Sequence, residues 1–174
     1  MVSIMVPVAL FPLAFLLGVV CVDLAFDIAA LSSSNDRLEE ASFYYRMHRK
    51  AVPSVVIPAV VVQLVALFVI LVKELLSSAD QRGLKLLNLA LLSAGGFIFG
   101  AILIPLEEEF SELPMITSNL THLEAVEQQK RGLLLEIMYY HVTCVVLILV
   151  SIALQVFQAA NERTDATPTK KKTK

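Results

Sequence analysis

The chain has 174 residues, 57% apolar and 17% charged, with a mean hydropathy of +0.74 and a formal net charge of −2. A soluble domain carries about 45–50% apolar and about 25% charged residues, so this balance points to lipid as the main solvent. The weak negative charge, with a strongly basic stretch only at the last few positions, excludes nucleic acid as an expected partner.

The apolar residues lie in four blocks long enough to cross about 30 Å of hydrocarbon. The expected fold is all-α: a four-helix transmembrane bundle with short loops at 1–160 and a disordered basic tail at 161–174. The spans are predicted at about 5–30, 53–72, 84–106 and 132–157.

No Lys or Arg precedes the first block, and no small-residue cleavage site closes it, so it reads as a retained helix rather than a signal peptide. Asn35 to Lys50 reads as a polar connection with helical character. Leu38, Phe43, Tyr45 and Met47 are expected at the membrane interface, with Tyr44, Arg46, Arg49 and Lys50 near headgroups. The Val-rich second span carries only Gln63 and Pro58 as irregularities and ends before Lys73-Glu74.

The third span holds Gly96-Phe97-Ile98-Phe99-Gly100, a GxxxG that predicts close packing of Gly96 and Gly100 against a neighbouring helix, or alternatively a dimer interface. Pro105 is expected to close this span, and Glu107, Glu108, Glu109 and Glu112 to form an acidic loop. Thr121 to Gln129 reads as a helical lead-in to the fourth span. Cys21 and Cys144 fall in apolar blocks and read as small core residues, a disulfide between spans being the alternative.

Three features agree on orientation. Lys171 and Lys172, four and three from the end, match a dilysine retrieval signal read by coat machinery on a cytosolic tail. Asn119-Leu120-Thr121 is a glycosylation sequon, and with four spans its loop is lumenal. Lys and Arg number eight in the second loop and tail against six in the first and third loops. The expected location is the endoplasmic reticulum membrane, with both termini cytosolic.

Ionisable groups inside a span are costly and face a bundle interior or a cavity. The candidates are Asp23 and Asp27, one turn apart near the end of the first span, and Glu136 and His141 near the start of the fourth. Counted from Leu31 and Gly132, Asp23 and His141 both lie roughly 12–14 Å inside their helices, so these two are expected to face each other. The cluster reads as a polar clasp, with Asp23 or Asp27 paired to His141, Arg46 or Arg49. A pocket for a lipid or other hydrophobic molecule and an acid–base catalytic site are the alternatives. Tyr139, Tyr140, Thr143, Asn88 and Gln63 add hydrogen-bonding capacity, whereas His48 and His122 fall in loops. No nucleophile motif, metal-ligand spacing or phosphate loop occurs, so no cofactor or metal is expected.

The Pro105-Leu106-Glu107-Glu108 step and the Arg131-Gly132-Leu133-Leu134 lead-in to a His-bearing fourth helix, on four short-looped spans, resemble the anthrone oxygenase-like membrane family. The resemblance covers layout and a few positions of the second half. It implies a compact four-helix fold and, in a minority of members, cofactor-free oxidation of aromatic polyketides; no catalytic residues carry over.

The function expected is a non-catalytic accessory or lipid-contacting subunit of an endoplasmic reticulum membrane complex. Its partners would be membrane lipids and either a membrane protein or further copies of itself. The alternative is a small membrane enzyme acting on a lipophilic substrate through an intramembrane Asp/His site. A transporter fits less well, because there is no inverted repeat and no charged path across the bilayer.

Overall fold

The computed structural model describes residues 9–32, 35–51, 56–77, 81–116 and 123–165. They are helical almost throughout: α1 (Leu10–Leu31), α2 (Asn35–Ala51), α3 (Val56–Ser77), α4 (Arg82–Phe97), a π-helical segment (Ile98–Leu103), α5 (Ile104–Glu112) and α6 (Leu123–Asp165). Among the described residues three helices are long and apolar enough to cross a membrane: α1, the continuous run from Arg82 to Glu112, and α6. The apolar part of α3 described here, Val61–Lys73, is shorter. The outward surfaces carry Phe11, Val62, Leu76 and Phe97, each more than 60% exposed, as expected where lipid is the solvent.

α1 makes its most extensive contact with α6 and also packs on α2 and α3, while α4 packs on α3 and α6. Two apolar clusters result. One, built on Leu13, Leu16, Leu67 and Leu71, joins α1 to α3. The other joins the opposite end of α1 to α2, α5 and α6 through Leu38, Tyr45, Phe110, Leu134 and Ile137.

α2 is the helix expected from its sequence, but its residues sort differently. Leu38, Ala41, Ser42 and Tyr45 are all buried, and their spacing of three and four residues makes one continuous stripe. Leu38 and Tyr45 therefore lie in the core rather than at an interface, while Phe43 and Met47 are exposed. The stripe seats α2 on α1 and α5 as a cap over one end of the bundle.

Pro105 does not close the third span. The helix runs through it to Glu112, and the acidic stretch expected as a loop is α5. The reason is local. Proline has no N–H for an intrahelical bond, and its ring crowds the carbonyl four residues back, that of Ala101. The π segment relieves both constraints by widening the turn, with the Ile104 N–H bonded to the Phe99 carbonyl five residues back. The inward face thereby continues from Leu103 to Phe110 and Ser111.

α6 is likewise one helix of 43 residues, with the lead-in and the fourth span fused through Gly132. At about 1.5 Å per residue it is roughly twice the thickness of the hydrocarbon core, so part of it extends beyond the bilayer. It also continues to Asp165, five residues into the stretch expected as tail. The close approach expected at the GxxxG is absent. A Cβ placed on Gly96 or Gly100 would meet nothing within 4 Å, and the nearest contact is at Gly95, whose Cβ would lie 3.8 Å from Leu147.

Candidate functional site: a buried carboxylate–imidazole clasp

At the capped end the polar side chains of four helices converge. His141 of α6 sits with Nδ1 2.6 Å from Oδ2 of Asp27 on α1. The other oxygen of that carboxylate, Oδ1, accepts the Tyr45 hydroxyl of α2 at 2.5 Å. Asp27 and Tyr45 are fully buried and His141 is 1% exposed. A carboxylate only accepts, so the imidazole Nδ1 carries the proton in this contact. On its other side Nε2 of His141 faces Oε1 of Glu107 on α5 at 3.5 Å, with no hydrogen bond made.

A second layer surrounds this pair. Tyr44 donates to Oδ1 of Asp23 at 2.6 Å and stacks on Phe26, with ring centroids 4.1 Å apart. Tyr45 meets Phe110 edge-on. Arg46 donates twice to the Ser111 carbonyl, from Nε at 3.3 Å and Nη2 at 2.8 Å. Oε1 of Glu39 receives both the Ile116 N–H at 2.8 Å and the Lys130 ammonium at 2.6 Å, and Lys130 is fully buried. The bonds close a ring: α2 is tied to α1, α5 and α6, and α6 in turn to α1.

The phenols respond to this setting. Burial, and then the carboxylate each one faces, push Tyr44 and Tyr45 far above the ordinary phenol range. Both are therefore hydrogen-bond donors at neutral pH.

His141 and the aspartate pair are thus brought together, but the residue on the imidazole is Asp27, not Asp23. Asp23 sits one turn away on Tyr44. Gly132 is not the end from which the depth of His141 is to be counted. α6 begins at Leu123 rather than Gly132, so the helix ends were not level. Glu136 is exposed and outside the cluster. Arg46 reaches the α5 backbone rather than an aspartate. Tyr139 is exposed, and Thr143 bonds back to the Tyr139 carbonyl within its own helix. Cys21 is exposed and Cys144 buried, and both are free thiols. Asn119, His122, Lys171 and Lys172 lie outside the described residues, as do the side chains of His48 and Arg49.

Glu107, Glu39 and Lys130 were missed as site residues. Glu107 follows Leu103 by four residues and precedes Phe110 by three, a helical spacing that marks it as inward-facing once Pro105 is not taken as a terminus. For Lys130 the signal is its place on the turn before Leu134 and Ile137. Among the described residues no group of three His, Cys, Asp or Glu is arranged to hold a metal ion.

What the arrangement can do chemically follows from its closure. A carboxylate-oriented imidazole is half of an acid–base device, yet here both partners are buried, with Glu107 on the remaining ring nitrogen. No family model, curated protein or solved structure matches the chain.

Proposed function

We propose that this chain is a non-catalytic, four-span membrane protein, an accessory or lipid-contacting subunit of an endoplasmic reticulum membrane complex, with both termini cytosolic and the capped end lumenal. One observation carries the reading: the intramembrane His and Asp are at most 1% exposed, and their bonds run between helices. A polar group in hydrocarbon needs a partner, and a closed set of partners fixes which helices adjoin. Outside the bilayer the described chain amounts to the helical cap and the overhang of α6, so partners are engaged through lipid-facing helix surfaces or those short helical parts. Gentle extraction followed by affinity capture tests the reading. Other membrane polypeptides in fixed ratio support it; capture of the chain alone counts against it.

The second reading is a small membrane enzyme on a lipophilic substrate, and its support is the unmade bond at His141 Nε2. A substrate proton would have to reach that nitrogen past Glu107. The pair of changes Asp27→Asn with His141→Gln separates the two, since a subunit keeps its partners when the clasp is rebuilt from amides, and an enzyme is left folded and inactive.

A further inference from the structure

At the capped end α1 and α2 leave an open groove of about 270 Å³ between them. Ala25, Phe26 and Ala29 line it from α1, and Arg37, Glu40 and Ala41 from α2. The alanines make the room, since only a methyl group projects at each of those positions. Phe26 fixes one wall, its ring stacked on Tyr44 of α2 with centroids 4.1 Å apart. The groove is therefore set by the same helix contact that seats the cap.

Its two sides differ in polarity. Ala25 lies six residues before Leu31, the last residue of α1, so the apolar side reaches about 9 Å inside the helix end. Val22, Phe26 and Ile28 around it are exposed, as on a surface that hydrocarbon covers. The α2 side carries Arg37 and Glu40, whose side chains are 58% and 62% exposed. Nη1 of Arg37 donates to Oε2 of Glu40 at 2.8 Å, a contact that uses one of the five guanidinium donors and one of the two carboxylate oxygens. An exposed ion pair of this kind is weak, so both charges are open to a ligand at little cost.

We propose that this groove binds a zwitterionic phospholipid of the leaflet at the capped end. The Arg37 guanidinium takes the phosphate, the Glu40 carboxylate faces the ammonium of a choline or ethanolamine head, and the acyl chains continue over the exposed face of α1. A cation and an anion one helical turn apart, at the mouth of an apolar groove, match such a head in both charges and in the order of polar and apolar parts. An anionic lipid would bring its charge against Glu40 with nothing to answer that carboxylate. The helix of a partner protein would set apolar side chains against both charges. The inference deepens the lipid-contacting part of the reading above and rests on its membrane placement, but not on the clasp or on any partner.

The test uses the full chain in detergent micelles, incubated with dioleoyl phosphatidylcholine, dioleoyl phosphatidylglycerol or dioleoylglycerol, and counts retained lipid by native mass spectrometry. Phosphatidylcholine is expected to be retained about tenfold better than either comparison lipid. Ala29→Leu fills the groove from an exposed position. Arg37→Gln with Glu40→Gln removes only an exposed ion pair. Each is expected to abolish the preference while helical circular dichroism stands. Should Ala29→Leu loosen α1 from α2, the double amide variant decides. Equal retention of phosphatidylglycerol overturns the zwitterionic head, and a preference indifferent to the variants overturns the groove as its site. Either result leaves the subunit reading standing where partners are recovered in fixed ratio, whereas retention of no lipid at all counts against the lipid-contacting reading itself.

Discussion

Asp27 serves two helices at once: one carboxylate oxygen holds the His141 imidazole at 2.6 Å and the other the Tyr45 hydroxyl at 2.5 Å. Removing it leaves two buried donors unpaired. Asp27→Ala is expected to destabilise by about 3 kcal/mol or more, the scale for a buried pair that loses one member. Tyr44→Phe, at the half-buried Asp23 contact, should cost only about 1 kcal/mol. Thermal unfolding in one detergent ranks the two, and a larger loss at Tyr44 would contradict the assignment of Asp27 as the hub.

The Glu39–Lys130 pair predicts an asymmetry. Lys130 is fully buried, whereas the Glu39 side chain is 18% exposed. Glu39→Gln strands a buried ammonium, and a loss of about 3–5 kcal/mol is expected, the range for breaking a buried pair. Lys130→Met removes the buried charge and leaves a carboxylate that keeps water and the Ile116 N–H, so its cost is expected to be smaller. Denaturation of both variants under one condition measures the difference, and equal losses would mean that Lys130 is not sealed from solvent.

Alkaline pH gives an independent check. The folded state holds Tyr44 and Tyr45 protonated above the ordinary phenol value of about 10, to which they return on unfolding. Between the unfolded and folded values the unfolded chain binds fewer protons than the native one, so stability falls as pH rises. It is fully present below about pH 10 and lost above it. With Tyr139 and Tyr140 changed to Phe, tyrosinate absorbance should appear together with loss of helical circular dichroism. Ionisation while the helix signal stands would place the phenols in water.

The proposed topology is checked at three residues outside the described ones, Asn119, Lys171 and Lys172. Glycosidase treatment should shift the mobility of the native chain but not of Asn119→Gln. Lys171→Ser with Lys172→Ser should send the protein forward from the endoplasmic reticulum. A tail protected from protease in sealed vesicles would contradict both.

Much of the fold was legible because hydrocarbon demands long apolar helices, and α1, α4 and α6 declare themselves that way. α2 was visible as a helix, but its buried stripe of Leu38, Ala41 and Tyr45 reads equally as an interfacial one until a packing partner is known. The run through Pro105 was hidden for a physical reason. Proline terminates a helix by default, and only tertiary contacts on both sides reward a π turn that accommodates it. Misplacing that terminus removed Glu107 from view, and misplacing the start of α6 moved the imidazole partner from Asp27 to Asp23. The residue types of the clasp could be read from their cost in lipid; their pairing needed helix ends that hydropathy does not mark.

The central claim, that the clasp is architecture in a subunit rather than a reaction centre, is tested most directly by a native mass of the gently extracted protein. The 19.1 kDa chain is expected in a fixed ratio with other membrane polypeptides. The same assembly is expected for the doubly changed Asp27→Asn, His141→Gln protein, in which amides replace the carboxylate–imidazole pair. A lone chain carrying a lipophilic small molecule that disappears in the double variant would contradict it and point to the enzyme.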